Sequence, residues 1–175
     1  MPGTSTEVNL SFITNNIFAE FHEKADGWTG TLSGGAFLDT GTNAIELQGA
    51  TAPPDYAGGI LPTGYYTNDT ITDLGTPTLV ALFANMDASN EYPYTLIDDI
   101  PDIDLWANVD GNDPLLALTT LQVNIDPDGL GFNGWQNFTP GQYLLQKVQF
   151  RAFLQSFDVG ITPVLYDIHF VVDVP

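Results

Sequence analysis

The chain has 175 residues and a formal net charge of −19 at pH 7, with 22 acidic side chains against three basic ones, Lys24, Lys147 and Arg151. Phosphate backbones and anionic bilayers are held by clustered Lys and Arg, so neither nucleic acid nor a lipid surface is an expected partner. There is no cysteine, which removes disulfide staples and thiolate metal sites, but a chain this long can bury roughly 70% of its unfolded surface in one domain without them.

Forty-three per cent hydrophobic content speaks against reading the charge as disorder, and the 11 Phe, 7 Tyr, 3 Trp, 17 Gly and 12 Pro favour sheets joined by turns over a helical bundle. No run of about 18 apolar residues is present to cross a membrane as a helix. The N-terminus, MPGTSTEVNLSF, has no basic start before an apolar core, so no secretory signal is expected. Residues 1–11 are small and polar and are expected to form an N-terminal arm, leaving 12–175 as a single β-sandwich domain. The initiating Met favours a complete small protein.

Phe12 to His22 reads as a short strand or irregular segment, closed by the Ala25-Asp26-Gly27 turn. Trp28 to Leu38 alternates around Gly34-Gly35, which suggests a bulge or hairpin turn, and Asn43 to Gln48 is its expected partner strand. Gly49 to Tyr66 carries too many Pro and Gly residues for a regular element, so a long surface loop ending in Tyr65-Tyr66 is expected. Thr70 to Leu74 and Pro77 to Met86 follow as strands, the second apolar on both faces and so expected to be central. Ser89 to Pro114 is an extended linker holding Tyr92, Tyr94 and Trp106 among six aspartates. Leu115 to Ile125 resumes strand character, Ile125 to Gly134 is a turn, and Trp135 to Phe138 is a short strand.

The strongest signal comes last. In Lys147 to Gln155, Val148, Phe150, Ala152 and Leu154 fall on one face and Gln149, Arg151 and Gln155 on the other. In Val164 to Val174, the row Val164, Tyr166, Ile168, Phe170, Val172 and Val174 alternates with Leu165, Asp167, His169, Val171 and Asp173. Side chains along a strand alternate between its faces, so each run can lay a continuous apolar row on a core. Strands separated by turns, with no convincing helix and no internal repeat, predict an all-β fold, a two-layer antiparallel β-sandwich.

The segment from Trp135 to Pro175 resembles the C-terminal module of bacteriophage tail-tip and central tail-fibre proteins. The resemblance is carried by Trp135, Phe138, Gly141, Tyr143, Gln149-Phe150-Arg151, Leu154, Ser156, Pro163, Asp173 and Pro175. The acidic stretch Asp98 to Asp113, with Trp106 at its centre, looks like that family's acidic insertion. The resemblance implies a jelly-roll sandwich akin to carbohydrate-binding modules and no enzyme. It also implies a place in the tail of a virion, other tail proteins as partners, and a homo-oligomer, trimers being common among tail fibres.

Candidate chemistry is sparse. Asp98, Asp99, Asp102, Asp104, Asp110 and Asp113 could offer oxygen ligands to calcium, but their spacing departs from the D-x-[DN]-x-[DN]-G-x₅-E loop. A solvated acidic loop is expected there, and no cofactor. His22 and His169 lie far apart in the chain, with His169 on the outward face of the last strand. No nucleotide-cradling motif appears. Loop aromatics beside polar residues suit a sugar, whose apolar face stacks on a ring while its hydroxyls seek hydrogen bonds; Tyr65, Tyr66, Tyr92, Tyr94 and Trp106 are the candidates for a host surface glycan. Trp28 and Trp135 are expected in the core. Arg151 is the only arginine; its planar fork suits an Asp on a neighbouring strand or on a second subunit. An outward face with Phe153, Leu165 and Val171 is the expected surface for a symmetry mate. The alternatives to a tail module are a cellular carbohydrate-binding domain and a small glycan-cleaving enzyme.

Overall fold

The computed structural model describes residues 17–47, 63–91, 117–157 and 162–174. Within them run β1 (Ile17–His22), one helical turn α1 (Glu23–Asp26), β2 (Thr31–Gly34), β3 (Ala36–Asp39), β4 (Ala44–Leu47), β5 (Thr63–Thr67) and β6 (Thr72–Glu91). The order continues with β7 (Ala117–Asp126), β8 (Trp135–Asn137), β9 (Gly141–Ser156) and β10 (Thr162–Asp173). The fold is all-β and antiparallel, as the alternation predicts. The two expected layers are opposing walls of one ten-stranded sheet that nearly closes into a barrel.

The connectivity explains how one sheet makes two walls. β5 and the first half of β6 follow one another along the same edge of β9, pairing with 151–155 and 141–148. β7 lines the opposite edge of β9, with β8 outside it. From Ala81 onward β6 pairs with β10, whose other edge takes β4 and β1. Strands β9 and β10 thus face each other across the interior, where Phe150 stacks on Phe170 with ring centroids 4.3 Å apart. Offset stacking at this distance adds to the burial of two large apolar rings.

The sequence suggests two strands at 70–74 and 77–86, but the structure has one. Its interruption is a bulge: Asp73 pairs with Lys147 and Thr78 with Leu145, so the residues between are mostly unpaired on β6. Gly75 adopts φ +76°, and the Asp73 carboxylate accepts its N–H at 2.8 Å, closing the bulge. This stretch is apolar on both faces, yet only Val80 and Leu82 are buried; Leu79 and Phe83 point outward and are about half exposed, with Leu144 beside Leu79. β6 is central in its pairing and one-sided in its burial.

Three further expectations are corrected. Gly34-Gly35 is a corner where the chain changes partner, since β2 pairs with β5 and β3 with β4. Gly34 sits at φ +65°, the Gly35 N–H bonds to the Thr63 carbonyl, and a Cβ on Gly64 would strike the Ala36 backbone. That close approach of β5 to β3 brings the sheet's ends together. The predicted loop through Tyr66 gives way to strand at Thr63, because β-branched and aromatic residues there find a partner in β9. The alternation in β10 also slips: Tyr166 is an extra residue between Leu165↔Ala88 and Asp167↔Asp87. Leu165 therefore points inward and is fully buried, so it cannot belong to an outward face for a symmetry mate.

Below the bulge the predicted rows hold. Val148, Phe150, Ala152 and Leu154 from β9 and Ile168, Phe170 and Val172 from β10 join Val80, Leu82, Val123, Ile45 and Leu47 in one core. Truncating Phe170 to Ala removes the stack and leaves a void between the walls. A loss of about 3–5 kcal/mol in unfolding free energy is expected, measured by urea titration of wild type and variant.

Candidate functional site

Because β9 pairs on both edges and buries its even-numbered side chains from Val148 to Leu154, its odd-numbered ones form the spine of an outer face. Thr63, Tyr65 and Thr67 of β5 lie on one flank of Gln155, Phe153 and Arg151. Leu118, Thr120, Gln122 and Asn124 of β7 lie on the other, followed by Asn137 and Trp135 of β8. Carboxylates are absent from these rows, although the chain as a whole is strongly acidic.

Arg151 organises this face. Its guanidinium lies 4.3 Å from the Tyr65 ring centroid on the β5 side and 4.3 Å from that of Trp135 on the β8 side. Cation–π contacts of this kind are worth about 0.5–2 kcal/mol each. Its Nε–H donates to Gln122 Oε1 at 2.7 Å, and Gln122 Nε2 donates in turn to Asn137 Oδ1 at 3.2 Å. Tyr65 also stacks on Phe153, with centroids 5.0 Å apart. Phe153, Tyr65, Arg151 and Trp135 therefore make one row of planar groups, each half-buried. Burial lowers the Arg151 pKa from its ordinary value, opposed by a smaller raising effect from Tyr65. Among the described residues no acidic group pairs with it, so the expected salt bridge within the sheet is replaced by an amide and two rings.

A second polar cluster is buried. Glu23, from the helical turn, accepts hydrogen bonds from the Tyr66 hydroxyl, the Asn68 side-chain amide and the Thr29 N–H, the last at 3.1 Å. The Tyr66 hydroxyl itself accepts the Gly30 N–H at 2.8 Å, and Trp28 packs edge-on against the Tyr66 ring. Every group in it is engaged with another, and Glu23 and Tyr66 are almost completely shielded from water. The cluster fastens the turn after β1 to β5, a structural duty.

The third cluster joins residues distant in sequence. His22 and His169 are opposite each other on β1 and β10, rings 5.0 Å apart, with His22 Nε2 2.9 Å from Asp167 and His169 Nε2 2.7 Å from Glu20. No group of three or more His, Asp or Glu suited to a metal ion occurs among the described residues.

The structure divides the sequence candidates. Tyr65 and Arg151 come together on the outer face. Tyr66 does not join them: neighbours on a strand point to opposite faces, and it is buried with its hydroxyl on Glu23, so it cannot contact a glycan. Trp135, expected in the core, is half-buried on the outer face against Arg151, whereas Trp28 does pack on the core. The signal for Trp135 was its parity with Asn137 on a short edge strand, visible only once β8 is paired with β7. Tyr92, Tyr94, Trp106 and the aspartates from Asp98 to Asp113 lie outside the described residues, as do the arm at 1–11 and Pro175. Comparisons with protein-family models, curated proteins and solved structures found no match to this chain.

Burial, then the hydrogen bond to Glu23, hold the Tyr66 pKa far above its ordinary 10.0. The folded state therefore keeps this proton where the unfolded chain releases it, and stability must fall as pH rises above 10.0. In the comparison of wild type with Tyr66→Phe, wild type is expected to lose more than about 1 kcal/mol per pH unit in addition to any loss in the variant above that point. Urea midpoints between about pH 9 and pH 12 measure the difference.

Proposed function

We propose that the chain is a non-enzymatic adhesive β module in the tail of a bacteriophage or phage-like particle, touching a host glycan through the outer face of β5, β9, β7 and β8. The observation that carries this reading is the row Phe153, Tyr65, Arg151 and Trp135, set among the side-chain amides of Gln122, Asn137 and Gln149. Rings accept the apolar face of a pyranose, and amides supply both donors and acceptors to its hydroxyls. A sheet face holds these groups more rigidly than a loop would, which reduces the ordering cost of binding.

The placement in a tail is supported by where the resembling residues fall. Trp135, Gln149, Phe150, Arg151, Leu154, Pro163 and Asp173 belong to β8, β9 and β10, and two of them, Trp135 and Arg151, build the face itself. The positions that carry the resemblance to tail-tip modules thus serve both the walls of the barrel and its proposed contact surface. Self-association with other copies and docking to other tail proteins belong to the same proposal.

Two measurements test it. On a glycan array, wild-type protein is expected to bind at least one oligosaccharide, and Trp135→Ala is expected to weaken that binding about tenfold or more, equivalent to about 1.4 kcal/mol. Immunogold labelling with antibody raised against the chain is expected to decorate one end of tailed particles. Labelling of cells with none on particles would replace the tail assignment by the cellular binding module.

A further inference from the structure

Arg151 raises a question of charge. It is the single arginine in a chain of net charge −19, the residue is half-buried, and yet no carboxylate meets it among the described residues. A cation taken partly out of water is normally matched by an anion or a full set of hydrogen-bond acceptors. Among the described residues only Nε is matched, by Gln122, and the rings of Tyr65 and Trp135 flank the plane. The edge bearing the two terminal amino groups has no hydrogen-bond partner on the described protein. Those contacts fix the orientation of the fork, and none of the described residues occupies its bidentate edge, the arrangement that recognises planar oxyanions.

From this we infer that the ligand of the outer face is an acidic saccharide whose carboxylate is taken bidentately by the terminal amino groups of Arg151. The inference rests on the glycan-binding reading above and specifies its chemistry. Trp135, half-buried on the short strand β8 and packed on the Arg151 guanidinium, is the ring set to take the apolar face of the adjoining sugar unit. Gln149 lies beside Arg151 on the outward row, and Asn137 beyond Gln122, within the span of a short oligosaccharide. The acidity of the chain does not forbid an anionic ligand. At physiological salt the field of distant charges decays over about 8 Å, while the ion pair forms at hydrogen-bond distance beside an Arg151 that no described carboxylate pairs with; the Asp69 carboxylate, held by the Thr31 hydroxyl at 2.9 Å, sits two strands away across Thr67. Long-range repulsion slows encounter and, by the same token, discriminates against polyanions, which the local pair alone cannot overcome.

The test compares oligosaccharides bearing N-acetylneuraminate, glucuronate or galacturonate with the same compounds after reduction of the carboxyl to a primary alcohol. Binding is read by saturation-transfer NMR and calorimetry on the full chain. Wild type is expected to bind at least one acidic compound tenfold or more tightly than its reduced counterpart. Arg151→Gln is expected to abolish the difference, and Arg151→Lys, which keeps the charge without the fork, to restore only part of it. Circular dichroism establishes that each variant folds; should one fail to fold, the wild-type comparison alone decides. Equal binding of acidic and reduced forms overturns the inference while leaving the glycan reading intact. Absence of binding to any sugar, acidic or neutral, overturns both. Preference for a glycerol-phosphate polymer over every acidic sugar also overturns it, since the anion would then be a phosphate.

Discussion

The fold depends on β6 serving two partners. Its first half is hydrogen-bonded to β9 and its second to β10, with Ala81 and Leu82 paired to both. Because β9 and β10 each carry a period-two apolar row, this shared strand turns two half-buried surfaces toward one interior, where Phe150 and Phe170 meet. A straight strand of this length would hold both partners in a single twisted plane and leave one face of each in water. The unpaired residues between Asp73 and Thr78 relieve that constraint, and bulges commonly serve to bend a strand and raise its local twist. The sheet then curls until β3 approaches β5, with glycine at the point of nearest contact.

Much of this was legible in the chain. The rows of β9 and lower β10 follow from alternation alone, since period two and a one-sided core leave no other assignment for Val148, Phe150, Ile168 and Phe170. What alternation cannot convey is an insertion that changes its phase. Tyr166 carries no mark of being the extra residue in β10, because a bulged tyrosine and a paired one are equally compatible with strand composition; upstream of it Val164 and Leu165 are both buried, so alternation no longer separates the faces. Pairing partners were likewise hidden. Gly34-Gly35 announces a change of direction, and only the presence of β5 and β4 on separate sides decides that it is a corner.

The outer face was half legible for the same reason. Arg151 lies opposite the apolar row of β9 and must point outward. Tyr65 and Tyr66 are adjacent and must point apart, but which one faces solvent depends on their register with Phe153 and Ala152. A large ring in a strand usually buries itself, which is why Trp135 is expected in the core; the stack on a guanidinium gives it a place at the surface instead. Burial of Tyr66 and the outward placement of half-buried Tyr65 separate two duties that adjacent identical residues conceal: one anchors Glu23 inside the barrel, the other contributes to the face outside.

One pairing has mechanical meaning. Ile17, where β1 begins, stands opposite Asp173, where β10 ends, so the first and last described strands meet with their outer ends together. Tension drawn through both of these ends would open that pair like a zipper, breaking one hydrogen bond after another, in contrast to a shear geometry that loads all bonds at once. A domain so built resists pulling poorly when strung in series within a taut filament.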